Sequence, residues 1–411
     1  MTPPEHCELV LRFARVLFVN GQSTEQTVAA AERLAKTLGL RAELMPRWGQ
    51  MQLKVEGQDG SLYSEVAAPT GVDMHRVAAA MSMIANLEAG RLAPESAVSA
   101  IEAIAKMPPA PGWLFTLAAA AGAVALSVIF GVEHLAAAGL ILLSAAAGAV
   151  LRRALAQRTT NVFVQPFCAA ALAGVVGGLA VRYDLSSSLR LVAVCPCMVL
   201  VPGPHLLNSA LDLANGRIHL GAARLLYALL VVVAISTGLL LGLMLLGVSL
   251  PVDPIGRAVP LWRDVIAAGI AVFAYSTFFS TPLSMLPWPV AIGMLAHALR
   301  WVALSVLGMG VATGALVACV VVGATLTPVS HRRHMPFAAV GFASVVSLMP
   351  GVYLFRMASG VVQICGGSPT SPDLLSETVS SGMTALIIIL SMSLGLIIPR
   401  MLIERVYERR R

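Results

Sequence analysis

Residues 199–208 have the sequence VLVPGPHLLN, and residues 347–356 have the similar sequence SLMPGVYLFR. Each stretch places a Pro-Gly pair inside an apolar run, and the second pair follows the first by 148 residues. Trp113 is at the start of one apolar run, and Trp262 is at the start of another. Adding 148 to 113 gives position 261, which is next to Trp262. The sequence therefore predicts two matching halves, each containing one broken helix.

The composition is that of a membrane protein. Of the 411 residues, 57% are hydrophobic and 12% are charged, against about 25% charged residues in soluble domains. A helix needs about 20 apolar residues to cross a bilayer. Apolar runs predicted as spans lie near 113–131, 134–151, 162–181, 189–210, 223–247, 262–280, 286–299, 302–325, 336–356 and 382–399.

These runs predict an α-helical polytopic membrane protein with about ten transmembrane helices. Residues 113–247 form transmembrane repeat 1, and residues 262–399 form repeat 2. An odd number of spans in each half makes the second half enter the membrane from the opposite side, so the two five-helix repeats are inverted. The count depends on the seventh run, 286–299, which is short and contains Pro287 and Pro289.

The N-terminal residues 1–106 differ in composition, with 10 Lys or Arg and 12 Asp or Glu. Helices are predicted near 5–20, 23–38, 73–88 and 94–106, and strands near 41–45, 51–56 and 61–67. We therefore expect a small α/β soluble domain. Residues 107–112 form a Pro-rich linker into the membrane, and residues 400–411 form a basic tail.

The placement of arginine predicts the orientation. With the N-terminus inside, 12 arginines fall in inside loops and the tail, and 5 fall outside. The inside set is Arg152, Arg153, Arg158, Arg217, Arg224, Arg332, Arg333, Arg400, Arg405, Arg409, Arg410 and Arg411, and the outside set is Arg182, Arg190, Arg257, Arg263 and Arg300. Both termini are therefore expected in the cytoplasm. The net charge of +7 reflects this bias rather than nucleic-acid binding, and no secretory signal peptide is predicted.

The two Pro-Gly breaks are the candidate transport site. They consist of Pro202 with Gly203 and Pro350 with Gly351. Proline removes a backbone donor and glycine permits unwinding, and unsatisfied backbone groups in hydrocarbon are costly unless protein, water or substrate binds them. Broken helices at matching positions of two halves indicate a substrate site in transporters, although a simple kink is the alternative.

Few ionisable residues are predicted at membrane depth. Asp212 follows the first break and Arg356 follows the second. For a zwitterionic substrate, Arg356 would bind the carboxylate and Asp212 the ammonium, with hydrogen bonds from Asn208 and Tyr353. The alternatives are an Asp212–Arg356 ion pair, or side chains that reach the interface.

Proton coupling is assigned to His205 and Asp212, because a histidine titrates near neutral pH. The alternative for His205 is a hydrogen-bonded structural role. No nucleotide-binding, serine-hydrolase or zinc-protease motif occurs, so neither an enzyme nor a cofactor is predicted. Cys195-Pro196-Cys197 is interpreted as a proline-broken helix rather than a metal site. Close helix packing is predicted at Gly174, Gly177, Gly178, Gly238 and Gly242.

Three stretches carry a resemblance to a known family. The first is NGQSTEQT at residues 20–27 followed by residues 31–40, and the second runs from RLAPES at 91–96 to MPP at 107–109. The third is the pair of Pro-Gly helices, the second of which is preceded by Met335-Pro336. In order and spacing, these stretches resemble the threonine/serine exporter family in its single-chain form, over essentially the whole chain.

The resemblance implies efflux of threonine and serine across a bacterial inner membrane, driven by the proton-motive force, with a cytoplasmic N-terminal domain. Related two-chain systems resemble exporters of dicarboxylates such as succinate, so dicarboxylate export is the second hypothesis. A membrane-anchored sensor or enzyme that acts through its soluble domain is the third. Oligomeric state is left open, a homo-oligomer included.

Overall fold

The protein is described here from a computed structural model, which covers residues 2–56, 61–132, 134–183, 189–248, 259–333, 335–365 and 372–408. An N-terminal α/β unit, comprising 2–56 and 61–105, precedes two series of helices. The two series are 112–244 and 261–408. They meet around two broken helices, which are described below.

The N-terminal unit is built on a three-stranded antiparallel sheet in the order β1-β2-β3. Its elements are α1 (Pro3–Val19), α2 (Thr24–Thr37), β1 (Ala42–Arg47), β2 (Gly49–Val55), β3 (Leu62–Ala67), α3 (Met74–Glu88) and α4 (Pro94–Ala105). The central helix α1 buries Phe13, Leu17 and Phe18 completely. The strands and helices lie within a few residues of their predicted positions, whereas the independence of this unit as a soluble domain stays a prediction.

The first series consists of α5 (Gly112–Ile129), α6 (Leu135–Ala156), α7 (Val164–Arg182), α8 (Leu189–Met198), α9 (Gly203–Ala214) and α10 (Ile218–Met244). The second consists of α11 (Leu261–Phe278), α12 (Pro287–Ser305), α13 (Val311–Arg333), α14 (Phe337–Val345), α15 (Gly351–Cys365) and α16 (Pro372–Glu408). Both series have the same order: three helices, a broken pair, and a last long helix. Short 3-10 turns cover Leu283–Met285 and Val346–Leu348.

Length and hydropathy identify seven helices that can cross a membrane among the residues described. Two further pairs, α8 with α9 and α14 with α15, are bent by 57° and 55°, which gives up to nine spans. The helix α12 has 19 residues but does not meet the same criteria. A polytopic helical membrane protein is therefore confirmed, whereas the tenth span and the inverted orientation of the halves stay predictions.

Glycines allow the closest helix contacts, as the sequence predicts. A Cβ atom added to Gly238 would collide with the Phe167 carbonyl oxygen, and one on Gly242 with the carbonyl oxygen of Ala171. Each of these contacts joins α10 to α7. A Cβ on Gly177 would lie 2.7 Å from the Ala193 side chain of α8. Backbones that approach this closely maximise van der Waals contact, which drives helix association in lipid.

Candidate functional site

The two predicted breaks pack against each other. A Cβ added to Gly203 would lie 3.5 Å from Val346 and 3.6 Å from Met349, in the second break. A Cβ added to Gly351 would lie 3.4 Å from Met198 and from Val201, in the first break. Each glycine thus contacts the residues that precede the other glycine, and this reciprocity is expected from two related halves.

The backbone geometry of the two breaks is also the same. The Gly203 amide donates to the Val201 carbonyl at 2.8 Å, and the Gly351 amide donates to the Met349 carbonyl at 2.9 Å. These bonds skip one residue, as in an inverse γ-turn, and Pro202 has the matching φ of −79° and ψ of 61°. Each proline therefore occupies the turn that ends one helix segment and starts the next.

A buried side chain binds a carbonyl that the first break exposes. The Tyr275 hydroxyl, from α11, donates to the Met198 carbonyl oxygen at 3.1 Å. Met198 is the last residue of α8, so its carbonyl lacks the usual partner four residues further along the helix. The second half thus helps to satisfy the broken backbone of the first half.

Asp212 and Arg356 do not form the ion pair that was considered as an alternative to substrate binding. Its carboxylate lies 3.1 Å from Arg224 Nε and 3.8 Å from Arg217 Nη1. Both Asp212 and Arg224 are buried, at 1% and 0% exposure. Thr24 of the N-terminal unit donates its hydroxyl to Asp212 at 3.0 Å, and Arg224 lies 3.3 Å from the same hydroxyl oxygen.

This contact belongs to a larger interface made by residues 20–24, the docking loop. The side-chain amide of Asn208 donates to the Gly21 carbonyl at 3.2 Å. The Arg224 guanidinium lies 4.9 Å from the centre of the Phe18 ring. Among the residues described, Gln22 Nε2, Ser23 Oγ and Asn208 Oδ1 are buried without a hydrogen-bond partner. The docking loop therefore brings uncompensated polar atoms to the end of the first broken helix.

A second connection lies next to the docking loop. The Met74 amide, at the start of α3, donates to the Phe279 carbonyl at 2.8 Å, at the end of α11. The Tyr227 hydroxyl of α10 donates to the Thr70 carbonyl at 3.3 Å. His205 is buried and lies edge-on to the Tyr227 ring, with the ring centres 5.1 Å apart. Its surroundings are therefore part of the contact with the N-terminal unit.

Arg356 and Tyr353 lie on α15. Arg356 Nη2 is 3.9 Å from a carboxylate oxygen of Glu377 on α16, which is partly exposed. Arg356 Nε is buried without a hydrogen-bond partner among the residues described. Tyr353 is partly buried and packs against Val232, Leu354 and Ala385. Asp212 and Arg356 thus each have a protein counterion of their own.

A buried polar chain in the second half was missed by the sequence analysis. His297 Nδ1 of α12 lies 3.1 Å from the Asp264 carboxylate of α11, and its Nε2 lies 2.9 Å from the Ser347 hydroxyl. All three side chains are buried, and Ser347 lies in the 3-10 turn before the second break. An aspartate and a histidine inside apolar runs were the available signal, because such residues are rarely lipid-facing.

A narrow cavity lies beside the first break. It spans about 300 Å³ when the open solvent at its mouth is included, but its free space for water-sized groups is only about 10 Å³. It is lined by Ala119, Ser144, Ala145, Gly148, Ala149, Arg152, Ala169, Pro196, Val199, Leu200 and Phe278. Arg152 was predicted to lie in a loop, but it lies in the last two turns of α6. Arg152 is the charged residue of a lining that is apolar apart from Ser144.

The comparisons with known proteins agree with this architecture. A family model described as "Putative threonine/serine exporter" matches residues 8–246, more than half of the chain. A second model, "Threonine/Serine exporter, ThrE", matches residues 264–402. These ranges contain the first and the second broken helix, respectively.

One relative extends the same similarity. A protein of Mycobacterium tuberculosis named "Probable threonine/serine exporter" is 24% identical over 373 residues, which cover 85% of this chain and 68% of the relative. No solved structure matches the chain significantly. The match over more than half of the sequence shows that this multi-pass membrane protein belongs to the threonine/serine exporter family.

Proposed function

We propose that this protein exports threonine and serine across the bacterial inner membrane, driven by the proton-motive force, with both termini in the cytoplasm. The observation that carries the proposal is the reciprocal packing of two broken helices with equivalent backbone hydrogen bonds, in a member of this family. Paired broken helices at a repeat interface are a recurring plan for substrate sites in secondary transporters.

The substrate path is proposed to run along the two breaks. Pro202, Gly203, Pro350 and Gly351 form the turns where the backbone leaves helical geometry. Polar backbone groups at such turns are available to a solute when the halves rearrange. The inverted relation of the halves, which this proposal includes, allows the same two breaks to face either side of the membrane in turn.

The polar residues next to the breaks complete the proposed site. Asp212 is assigned to the substrate ammonium and Arg356 to its carboxylate, with hydrogen bonds from Asn208 and Tyr353. In the present conformation, Arg224 and Glu377 neutralise the two charged residues. Binding of substrate at either residue therefore requires that a protein counterion be displaced, and the present conformation corresponds to a closed state in this proposal.

Two groups are proposed for proton coupling. His205 and Asp212 lie on α9, within the contact with the N-terminal unit. The buried His297, bound between Asp264 and Ser347, is the second candidate. An imidazole between a carboxylate and a hydroxyl can hold or release one proton without leaving its position, provided that its neighbours adjust their hydrogen bonds. Transport variants at both histidines separate these assignments.

Export of dicarboxylates is the second candidate function. The observation that favours it is the number of arginines packed inside the protein, among them Arg152, Arg224 and Arg400, of which the last two are almost completely buried. The sequence analysis counted only Arg356 at depth. A second carboxylate on the substrate would need a second cation, and the structure offers more than one.

Uptake into inside-out membrane vesicles tests these proposals. Vesicles containing the protein, with an imposed gradient acidic inside, are expected to accumulate labelled threonine and serine, and a protonophore is expected to abolish accumulation. Vesicles without the protein are the control. Accumulation of succinate but not threonine would refute amino-acid export, and accumulation that persists with the protonophore would refute proton drive.

A further inference from the structure

We propose that Arg152 binds a carboxylate group of the exported solute in the cavity beside the first break, at a position on the transport path distinct from the one assigned to Arg356. This inference rests on the proposed function only in that the solute carries a carboxylate, as both amino acids and dicarboxylates do. It assigns a substrate contact to a residue that the sequence analysis treated as part of a loop.

Two of the three guanidinium nitrogens of Arg152 lack protein acceptors among the residues described. Its Nε and Nη1 atoms are buried and have no hydrogen-bond partner among the residues described. Its neighbours are aromatic rings: its Cζ atom lies 5.9 Å from the centre of the Phe115 ring and 5.3 Å from that of Phe278. Cation–π contacts hold the group in place but satisfy no N–H donor. The donors on Nε and Nη1 are therefore available to an anion.

Three other arginines that are buried or half-buried have carboxylate partners. Arg224 lies 3.1 Å from Asp212, Arg356 lies 3.9 Å from Glu377, and Arg400 lies 2.9 Å from Glu404. No carboxylate of the described residues lies within 4 Å of Arg152. Arg152 is half-buried, and a cation that is partly withdrawn from water without a counterion is unfavourable, so the folded protein gains stability when an anion binds here.

The two halves differ in the surroundings of their equivalent arginines. Arg300 follows Arg152 by 148 residues and is its equivalent in the second half. The second half also has the chain of Asp264, His297 and Ser347. When Trp113 is aligned with Trp262, Phe115 is the sequence equivalent of Asp264. With the offset of 148, Ala149 is the equivalent of His297, and Val199 is the equivalent of Ser347.

The first half therefore keeps the arginine and replaces the whole polar chain by apolar residues. Ala149 and Val199 line the cavity, and the Phe115 ring contacts Arg152. Asp264 has no carboxylate counterpart in the first half, where Phe115 occupies the aligned position, and the binding of an external carboxylate is assigned to Arg152. Arginine suits this role because its planar donors bind a carboxylate in two parallel hydrogen bonds.

In the present conformation the cavity has free space for about one water-sized group, so a solute would enter it when the first break rearranges. Ser144 Oγ is buried without a hydrogen-bond partner among the residues described, so one further polar group is available to the ligand. Val199 and Leu200, in the first break, form another part of the lining. A carboxylate on Arg152 therefore lies beside the segment that is proposed to rearrange during transport.

Binding to the purified full-length protein tests the assignment. The probes are labelled threonine, labelled succinate and threonine amide, in which a neutral amide replaces the carboxylate. We expect Arg152→Gln to weaken binding of the transported carboxylate by about tenfold or more, the effect of losing about 1.4 kcal/mol, and to leave binding of threonine amide unchanged. Arg158→Gln is the matched control, because it removes the same charge from an exposed residue, and it is expected to change neither.

The possible outcomes separate the two proposals. If the unaltered protein binds succinate and not threonine, amino-acid export fails, but the effect of Arg152→Gln on succinate still decides this inference. If Arg152→Gln is folded by size-exclusion chromatography and binds as tightly as the unaltered protein, the inference is overturned.

A second variant is independent of the charge. Ala149→Leu fills the cavity next to Arg152 and leaves the guanidinium present. It is expected to weaken binding by about tenfold, and unchanged binding would overturn the placement of the carboxylate in this cavity. This variant decides the question if Arg152→Gln does not fold.

Discussion

Removing the Asp212 carboxylate is predicted to destabilise the protein more than removing its partner Arg224. Asp212→Asn leaves Arg224, which is completely buried, with no carboxylate among the described residues within 4 Å. Loss of one partner of a buried pair costs about 3–5 kcal/mol. Arg224→Met leaves Asp212 with a second cation, since Arg217 lies 3.8 Å away and is partly exposed. We therefore expect a smaller loss, about 1–3 kcal/mol.

A double-mutant cycle measures the interaction directly. The double variant Asp212→Asn with Arg224→Met removes both buried charges, so its loss is expected to be below the sum of the single losses by about 1–3 kcal/mol. Unfolding of the purified protein in mixed micelles by added SDS gives these free energies. The exposed pair Arg33–Glu88, at 3.0 Å, is the control and should show coupling of at most about 1 kcal/mol.

Two results would refute this reasoning. Strict additivity in the cycle would mean that the two charges do not compensate each other. A larger loss for Arg224→Met than for Asp212→Asn would mean that Arg217 does not support the carboxylate. Either result would remove the basis for describing Asp212 as neutralised in the present conformation.

Three further variants test other parts of the structure. Gly242→Val should prevent folding, judged by the yield of monodisperse protein, whereas Gly139→Ala, which has open space for a Cβ, should fold normally. Burial raises the pKa of the Asp73 carboxyl, so its contribution to stability is present below its ordinary pKa and is lost as the pH rises through the raised one. Asp73→Asn keeps the helix cap and should gain stability relative to the unaltered protein, by thermal unfolding, as the pH rises from about 4 to 7. His297→Gln should flatten the pH dependence of transport in vesicles, and an unchanged profile would exclude that residue from proton coupling.

The sequence predicts those features that depend on local chemistry. The Pro-Gly pairs end helices because proline lacks an amide donor and its turn cannot continue a helix, and both breaks occur where predicted. The same holds for the strands of the N-terminal unit, which alternating side chains and flanking glycines indicate. Close packing at the glycines of α7 and α10 was predicted because only glycine permits that approach of backbones, whereas the pairing of these two helices was not.

Charged partners could not be predicted in this way. The number of arginines on each side of the membrane predicts the orientation of the chain but not where each arginine side chain points. Arg152 and Arg224 were therefore both assigned to loops. The helix α10 begins at Ile218, five residues earlier than predicted, and this places Arg224 inside the helix facing Asp212. Thr24, which contacts both Asp212 and Arg224, lies 188 residues from Asp212 in the sequence. No local sequence pattern relates two residues so far apart.

The position of Thr24 leads to a last prediction. Under the proposed function, the Thr24 hydroxyl and the substrate ammonium bind the same carboxylate, that of Asp212. The contacts of the docking loop and the binding of substrate are then coupled, and the coupling acts equally in both directions. Thr24→Val removes the hydroxyl but retains the shape of the side chain, so it should weaken docking while raising the affinity for threonine. A loss of about 1 kcal/mol in the competing hydrogen bond corresponds to about a fivefold gain in affinity. Unchanged affinity in this variant would show that Asp212 holds the docking loop and not the substrate.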